Sequence, residues 1–498
     1  MNYLLKVDIS GIQKYIFDTP SDGAAKELKA RSFFVYALTH IAEQYFRDCF
    51  PINYRRIYNG GGNLFAIVQS DKNQLKEKTE GFQKHFLLDD VYPHIGYVEY
   101  SDKDDFSVKS DELNDKMNRE KYKRAFTTTL FSGKTDKELG DFTSNLAKSK
   151  GFTITEHSSS DMNYTIEYDA IIVAGYKLKL VNNPPEDVNR NFCDTIINKL
   201  PQGIDFDRIA LRCASERNTD NKLAALKIDV DKLGNIFKNK SREDYETISG
   251  EIERFFSRTI YADILKDEIE SMDVYPVFAG GDDCFLIGGW DIILNKAIQI
   301  NKSFYEFQQG LREKVSTIKE SLTISAGIVI VNPKFPMQRL AEESEEALHL
   351  AKNAGRNKVC VFGEVLKWQE FEKAEEMAVE LKNLIAEKGE SRALLERIKS
   401  SDIGFRSLQD RVLNRNRIDF PKVYRLKYYL RNAKSSDSRA ILGKLFEDYT
   451  EALLQDFMAD KNKSDKKNLT NPARFPVAAR WAELLTKKYN YELDKAIS

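Results

Sequence analysis

Phe278-Ala279-Gly280-Gly281-Asp282-Asp283-Cys284-Phe285 sets two glycines and two acids between apolar runs. Glycines accept positive φ and carry no side chain, so a hairpin turn built from them lets a phosphate chain lie close to the backbone. The two acids then project toward that phosphate, or they simply solvate the tip of a surface hairpin. Outward from the turn, residues 274–278 and 284–287 read as its two strands. Residues 223–229 form a strand and 242–266 a helix before it; 293–313 form a helix and 322–331 a strand after it. A further helix, 337–354, and a short strand, 358–362, follow. The order is βαββαβ, the ferredoxin-like split unit.

The same order opens the chain. Residues 3–8 read as a strand, 27–49 as a helix, 56–59 and 64–69 as strands around Gly60-Gly61-Gly62, 71–86 as a helix and 95–100 as a strand. The motifs align as well. Lys6-Val7-Asp8-Ile9-Ser10 matches Lys227-Ile228-Asp229-Val230-Asp231, and Tyr58-Asn59-Gly60-Gly61-Gly62-Asn63-Leu64-Phe65 matches the turn quoted above. Asp8 and Gly62 are 54 residues apart, Asp229 and Asp282 53. Two similar motifs at nearly equal separation mark a duplicated domain, one copy of which has lost its acidic pair. The fold class expected is α+β: two ferredoxin-like domains at 1–105 and 216–366, a connecting module at 106–215, and a C-terminal helical bundle at 367–498.

A chain of 498 residues exceeds what one core usually supports. The 76 Lys and Arg against 77 Asp and Glu give a net −1, so whole-chain charge points to no nucleic-acid partner. Residues 391–440 depart from that balance, with 13 Lys and Arg against 5 Asp and Glu interleaved with Phe405, Phe420, Tyr424, Tyr428 and Tyr429. Such a surface suits RNA or an adjoining subunit, or is a solvated helix face. No apolar run reaches membrane-spanning length and no secretory leader is evident, so a cytoplasmic setting without membrane contact is expected. The five cysteines form no CxxC pair and none of the five histidines precedes an aspartate, which argues against a zinc ribbon and a histidine–aspartate hydrolase.

Asp229-Val230-Asp231 ends the strand expected beside the hairpin. With a period of two, Asp229 and Asp231 point to one side, and Asp229 can approach Asp282. Carboxylates converging there repel, and a hard divalent cation, Mg²⁺ or Mn²⁺, is the natural compensation. A capping or turn role is the alternative for these acids. Lys352, in Ala351-Lys352-Asn353-Ala354-Gly355-Arg356-Asn357-Lys358, either neutralises a triphosphate or favours a helix C-terminus. Ser325-Ala326-Gly327 either floors the site or serves close backbone packing. Cys284 reads as core, and His349 receives no role.

Together, Asp229 to Gly234, Gly280 to Asp283, Ser325 to Gly327 and Ala351 to Asn357 resemble the nucleotidyl-cyclase palm shared by GGDEF cyclases and the CRISPR polymerases. Asp8-Ile9-Ser10-Gly11-Ile12-Gln13-Lys14-Tyr15-Ile16-Phe17, Arg31-Ser32-Phe33 and Asn59 to Asn63 resemble the degenerate first palm of the large subunit of type III CRISPR complexes, Csm-type in particular. Trp368 with Phe371 fits the same pattern. The resemblance covers about residues 1–100 and 215–375 by motif.

It implies a target-RNA-activated synthase that converts ATP into cyclic oligoadenylate within a complex of other Csm- or Cmr-type subunits, crRNA and target RNA. By the same resemblance, Asp229, Asp282 and Asp283 are catalytic. Asp229, Asp282, Asp283 and the Val230 carbonyl hold metal. Gly280, Gly281, Lys352, Ser325, Ser10, Gly60, Gly61, Gly62 and Asn63 bind the two nucleotides. Family members often begin with a histidine–aspartate nuclease domain, whereas this sequence starts at the first palm, so DNA cleavage is not expected. Many carry a four-cysteine zinc element between the palms, where residues 101–221 hold only Cys193 and Cys213, so that module is stabilised another way. The competing expectations are a stand-alone GGDEF-like cyclase, a non-catalytic scaffold, and AMP transfer to a different acceptor.

Overall fold

The computed structural model describes residues 1–19, 24–52, 54–84, 91–124, 141–142, 144–146, 148–149, 151–157, 165–183, 206–400, 427–428, 430–461 and 473–487. Residues 401–426 and 429 of the expected basic segment at 391–440 fall outside them.

Alternating apolar residues make β1 (Asn2–Ser10) a strand whose Tyr3, Leu5, Val7 and Ile9 face one core while Leu4 faces another. After it come α1 (Ile12–Phe17), α2 (Ala24–Cys49), the hairpin β2 (Arg55–Gly60) and β3 (Asn63–Gln69), α3 (Lys72–Lys84) and β4 (Tyr92–Tyr100). Asp71 caps α3, accepting from the amides of Asn73 and Gln74 at 2.9 Å each. The strands form an antiparallel sheet in the order β2-β3-β1-β4. Helix α4 (Phe106–Arg124), expected within the connecting module, instead packs on this sheet through Leu113 and Met117. Gly96 on β4 makes the approach possible, since a Cβ there would lie 2.6 Å from the Met117 sulfur.

The second unit repeats this plan. Helix α5 (Phe206–Arg217) leads into β9 (Leu223–Val230), α6 (Leu233–Ile236) and α7 (Arg242–Arg254). The expected continuous helix at 242–266 is three pieces: α7, a π-helical segment (Phe255–Ile264) and α8 (Lys266–Glu270). Then follow β10 (Val274–Gly280), β11 (Asp283–Gly289), α9 (Trp290–Lys314), β12 (Ile324–Val331) and α10 (Met337–Asn353). The sheet order is β10-β11-β9-β12, extended by β13 (Lys358–Val361) and β14 (Glu364–Lys367), the last not anticipated from the sequence. Both hairpins carry a register shift at the same place, between Arg56 and Tyr58 and between Pro276 and Phe278. Gly327 lets α10 lie against β12, as Gly96 does for α4, because a Cβ there would meet the Leu348 amide at 2.4 Å. Close packing is therefore the role of this glycine.

Two helices each pack on both units. α2 of the first unit covers the second sheet, where Ala25, Leu28 and Val35 join Tyr275, Val277 and Phe285 in one buried cluster. α7 of the second unit covers the first hairpin, where Tyr245 packs edge-on to Phe65 and Phe106 at 5.4 and 5.6 Å. Phe17 meets Phe285 edge-on at 4.8 Å across the same seam.

The connecting module contains a sheet that the sequence did not reveal: β5 (Gly151–Glu156), β6 (Thr165–Ile166), β7 (Ala170–Val173) and β8 (Tyr176–Val181), in the order β5-β8-β7-β6. Apolar packing holds it to α2, with Phe152 against Phe33, Tyr36 and His40. Beyond β14, α11 (Trp368–Ala386) and α12 (Ala393–Lys399) pack with α13 (Ser436–Lys461) and α14 (Arg474–Thr486). Their buried residues are continuous with the second unit's core, and the Trp368 indole donates to the Ile324 carbonyl at 3.1 Å. Among the described residues no helix is long and apolar enough to cross a membrane.

Candidate functional site

The two glycine turns meet tip to tip. Gly61 and Gly281 both have positive φ, +56° and +67°, and a Cβ on either would stand 3.1 Å from the other's Cα. A side chain at either position is strained and crowds the opposite turn. Each turn is stitched to the end of its neighbouring strand in the same way: the Ile9 amide donates to Gly62 O at 2.9 Å, and the Val230 amide to Asp282 O at 3.1 Å. Register pairs Asp229 with Asp283 and Asp8 with Asn63.

The turns also separate two clefts that run between the units. One, of ≈ 200 Å³, is bordered by Gly61, Gly62, Gly280 and Asp283, with Phe33, Tyr36 and Phe278 as aromatic walls. The other, of ≈ 280 Å³, is bordered by Gly60, Gly61, Asn63, Gly281 and Asp282, with Tyr58, Phe237 and Tyr245 as walls. The two acids of the second turn therefore serve opposite sides. Aromatic walls beside an acidic, glycine-rich turn suit flat heterocycles that carry phosphates.

Burial, and then the neighbouring Asp229, pushes the Asp282 carboxyl up to about 6. Burial, and then Asp282, pushes Asp283 up to about 8. Burial also raises Asp229, against the opposing pull of Lys352, whose Nζ lies 2.5 Å from Asp229 Oδ1. The crowding of these carboxylates fits a divalent cation, and the Lys352 ammonium stands where positive charge is needed. Among the described residues no three His, Cys, Asp or Glu side chains are already drawn into a coordination shell.

Several expected residues lie elsewhere. Ser325 is fully buried and donates to Asp231 Oδ1 at 2.7 Å, so it is not open to a nucleotide. Asp231 also accepts from the Thr323 hydroxyl at 2.8 Å and the Asn357 amide at 2.9 Å, which makes it a structural anchor beside the site. Ser10 ends β1 opposite Tyr92 and lines neither cleft. Cys284 is buried in the core, and exposed His349 pairs with Glu345 at 3.0 Å.

Two residues escaped sequence reasoning. Lys121 on α4 lies 2.5 Å from Asp8 Oδ2, the counterpart of Lys352 with Asp229. Its signal is a spacing: Gly96 to Lys121 and Gly327 to Lys352 are both 25 residues. Seven residues before each lysine a polar side chain takes up the strand lysine, Asn114 with Lys6 and Glu345 with Lys227. The other is Glu253 on α7, whose Oε2 accepts from the Gly281 amide at 2.8 Å and the Tyr58 hydroxyl at 3.1 Å. No local sequence pattern marks it.

Comparison with known proteins agrees with this geometry. A family model described as the second palm domain of Cas10/Cmr2 matches residues 222–360, and one described as domain B of the Csm1 subunit matches residues 1–135. The chain is 24% identical over 433 residues to a CRISPR system single-strand-specific deoxyribonuclease Cas10/Csm1 (subtype III-A) of Enterococcus italicus, covering 74% of this chain and 55% of that protein. The chain thus spans about half the length of such curated relatives. Two solved structures share the fold over 98% of this chain and 70% of theirs: a Csm1–Csm4 cassette in complex with one ATP (TM-score 0.70, 19% identity) and one in complex with cA4 (TM-score 0.66, 18% identity).

Proposed function

The chain belongs with the Cas10/Csm1 large subunits of type III-A CRISPR systems, and from that membership we propose that it is a nucleotidyltransferase making cyclic oligoadenylate from ATP when its complex binds target RNA. The two repeated sheets are, on this proposal, ferredoxin-like palms, and the first includes α4. The supporting observation is the contact between the turns: two clefts meet at one glycine seam, and only the second turn carries acids, one to each cleft.

Each cleft takes one ATP. The 3′-hydroxyl of one attacks the α-phosphate of the other, the new P–O bond forms as the bond to pyrophosphate breaks, and the hydroxyl proton leaves to a nearby base. Asp229, Asp282 and the Val230 carbonyl are the groups to hold Mg²⁺ or Mn²⁺, which supplies charge neutralisation at the triphosphate. Asp283 assists that site or accepts the proton. Lys352 turns from Asp229 to the phosphates. In the first unit Gly60, Gly61, Gly62 and Asn63 leave room for the second nucleotide, Ser10 ends the strand beside them, and Lys121 is the cation within reach. A Csm4-type subunit, as in the solved cassettes, is an expected partner, and crRNA is a second, with the basic 391–440 segment a candidate RNA contact.

The test is the assembled complex with Mg²⁺, ATP and complementary target RNA, products read by mass spectrometry. Adenylate oligomers that require target, and that disappear in an Asp282→Ala/Asp283→Ala variant which still assembles, are the expected result. Product from GTP without RNA identifies a stand-alone cyclase instead, and no product from any nucleotide mixture overturns the synthase.

A further inference from the structure

Glu253 joins the two units at the point where their turns touch. The peptide it holds, between Gly280 and Gly281, lies one peptide before the one that leads into Asp282. Gly281 sits at φ +67° without a side chain, so nothing of its own fixes that peptide's orientation. The Gly281 amide donates to Glu253 Oε2 instead, and the same oxygen accepts from Tyr58, two residues ahead of Gly60 on the opposite turn. The space is fitted closely around it: a Cβ on Gly60 would lie 2.3 Å from that oxygen. Hydrogen bonds to a carboxylate in such a buried setting are strong and directional.

We propose that Glu253 is a positioning residue that sets the two turns, and so the two nucleotides, in register for transfer between them. It belongs by sequence to the second unit, yet α7 lies over the hairpin of the first, so one rigid helix gauges both half-sites. This rests on the proposed transfer between two clefts. It adds a residue that does not touch the reacting atoms and acts through the Gly280–Gly281 peptide and through Tyr58. Misplacement of reacting groups by about 1 Å is enough to cost ~10²-fold in rate.

The experiment uses the full chain in its complex and compares Glu253→Ala, Glu253→Gln, Tyr58→Phe and the Glu253→Ala/Tyr58→Phe double variant. Glu253 also borders the smaller cleft, whose other walls remain, so Glu253→Ala is expected to lower kcat about 100-fold with KM for ATP changed less than about threefold. Tyr58→Phe is expected to lower kcat about tenfold, and the double variant to be no worse than Glu253→Ala alone, since both act through one oxygen. Glu253→Gln, which keeps an acceptor oxygen, is expected to restore most of the loss. Multiplying losses in the double variant, a loss carried by KM, or a Gln variant as slow as the Ala variant overturns the proposal. A second readout does not need activity: hydrogen exchange of the peptide spanning residues 278–285 speeds up in Glu253→Ala and not in Glu253→Gln. Unchanged exchange in Glu253→Ala overturns the positioning role even if turnover falls. If the wild-type complex makes no product, the exchange result still decides whether Glu253 holds the turn, and the synthase fails separately.

Discussion

Asp282 and Asp283 bind protons more tightly in the folded chain than an unfolded carboxyl does, at about 6 and about 8 against a reference near ~3.9. The sign follows from linkage. Each group favours folding fully below about pH 4, and that contribution is lost as pH rises through the folded values. Without divalent cation, Asp283→Asn should therefore match the parent's melting temperature near pH 4 and exceed it by pH 8, with the gap narrowing when Mg²⁺ is added; thermal melts across that range check it. Turnover in the same variant should be lost. Removing Asp231, by contrast, should destabilise the fold. It accepts three hydrogen bonds from Thr323, Ser325 and Asn357, so Asp231→Ala should lower stability by about 2–4 kcal/mol in denaturant titrations, with or without cation. Strand alternation in Asp229-Val230-Asp231 shows that the two acids share a side. It does not show that one of them is engaged by residues 92 to 126 positions away, which is why Ser325 read as a site residue.

The hairpins decide the outcome among the elements. Gly281→Ala places a Cβ 3.1 Å from the Gly61 backbone at positive φ, so it should separate the turns and cut turnover at least about tenfold. Gly363→Ala is the control: φ is +82° with open space around it, so it should cost about 1–3 kcal/mol in a thermal melt and leave product formation intact. The hairpins and their flanking helices were legible because alternation, glycine punctuation and helical spacing agree there, and β1 to β4 fall within a few residues of expectation. The β5–β8 sheet was not legible, since its strands are short, two to six residues, and lie in polar surroundings. The π-helical segment after α7 keeps a helical composition, and the shift in its hydrogen-bond pattern leaves no mark in residue type.

The seam between the units holds a buried lysine. Lys29 on α2 is 3% exposed and donates to the Pro276 carbonyl of β10 at 3.3 Å. Burial lowers it to about 7. Its folded value lies below the unfolded one, so its contribution to stability is present above about pH 10 and lost as pH falls through about 7. Lys29→Met should accordingly raise the melting temperature at pH 6–7 and converge on the parent near pH 10. Such a buried lysine in a helix that reads as amphipathic gives no warning from sequence, because its surroundings come from a strand 247 positions away. The repeated sheet order was legible from two motifs; the sharing of α2 and α7 between the units was not, since periodicity shows which face of a helix is apolar and not which sheets cover it.

The contact between Gly61 and Gly281 has a bearing on how such a chain can arise. Two identical halves related by a two-fold axis would bring two Gly-Gly-Asp-Asp tips together, four carboxylates around one near-touching pair of backbones. A homodimer must repeat every residue on both sides and would have to hold its tips apart. Joined in one chain, the halves are free to differ, and Gly62 and Asn63 stand where the second acidic pair would be. The closeness of the contact and the inequality of the halves are thus one property: the tips can touch because only one of them is charged.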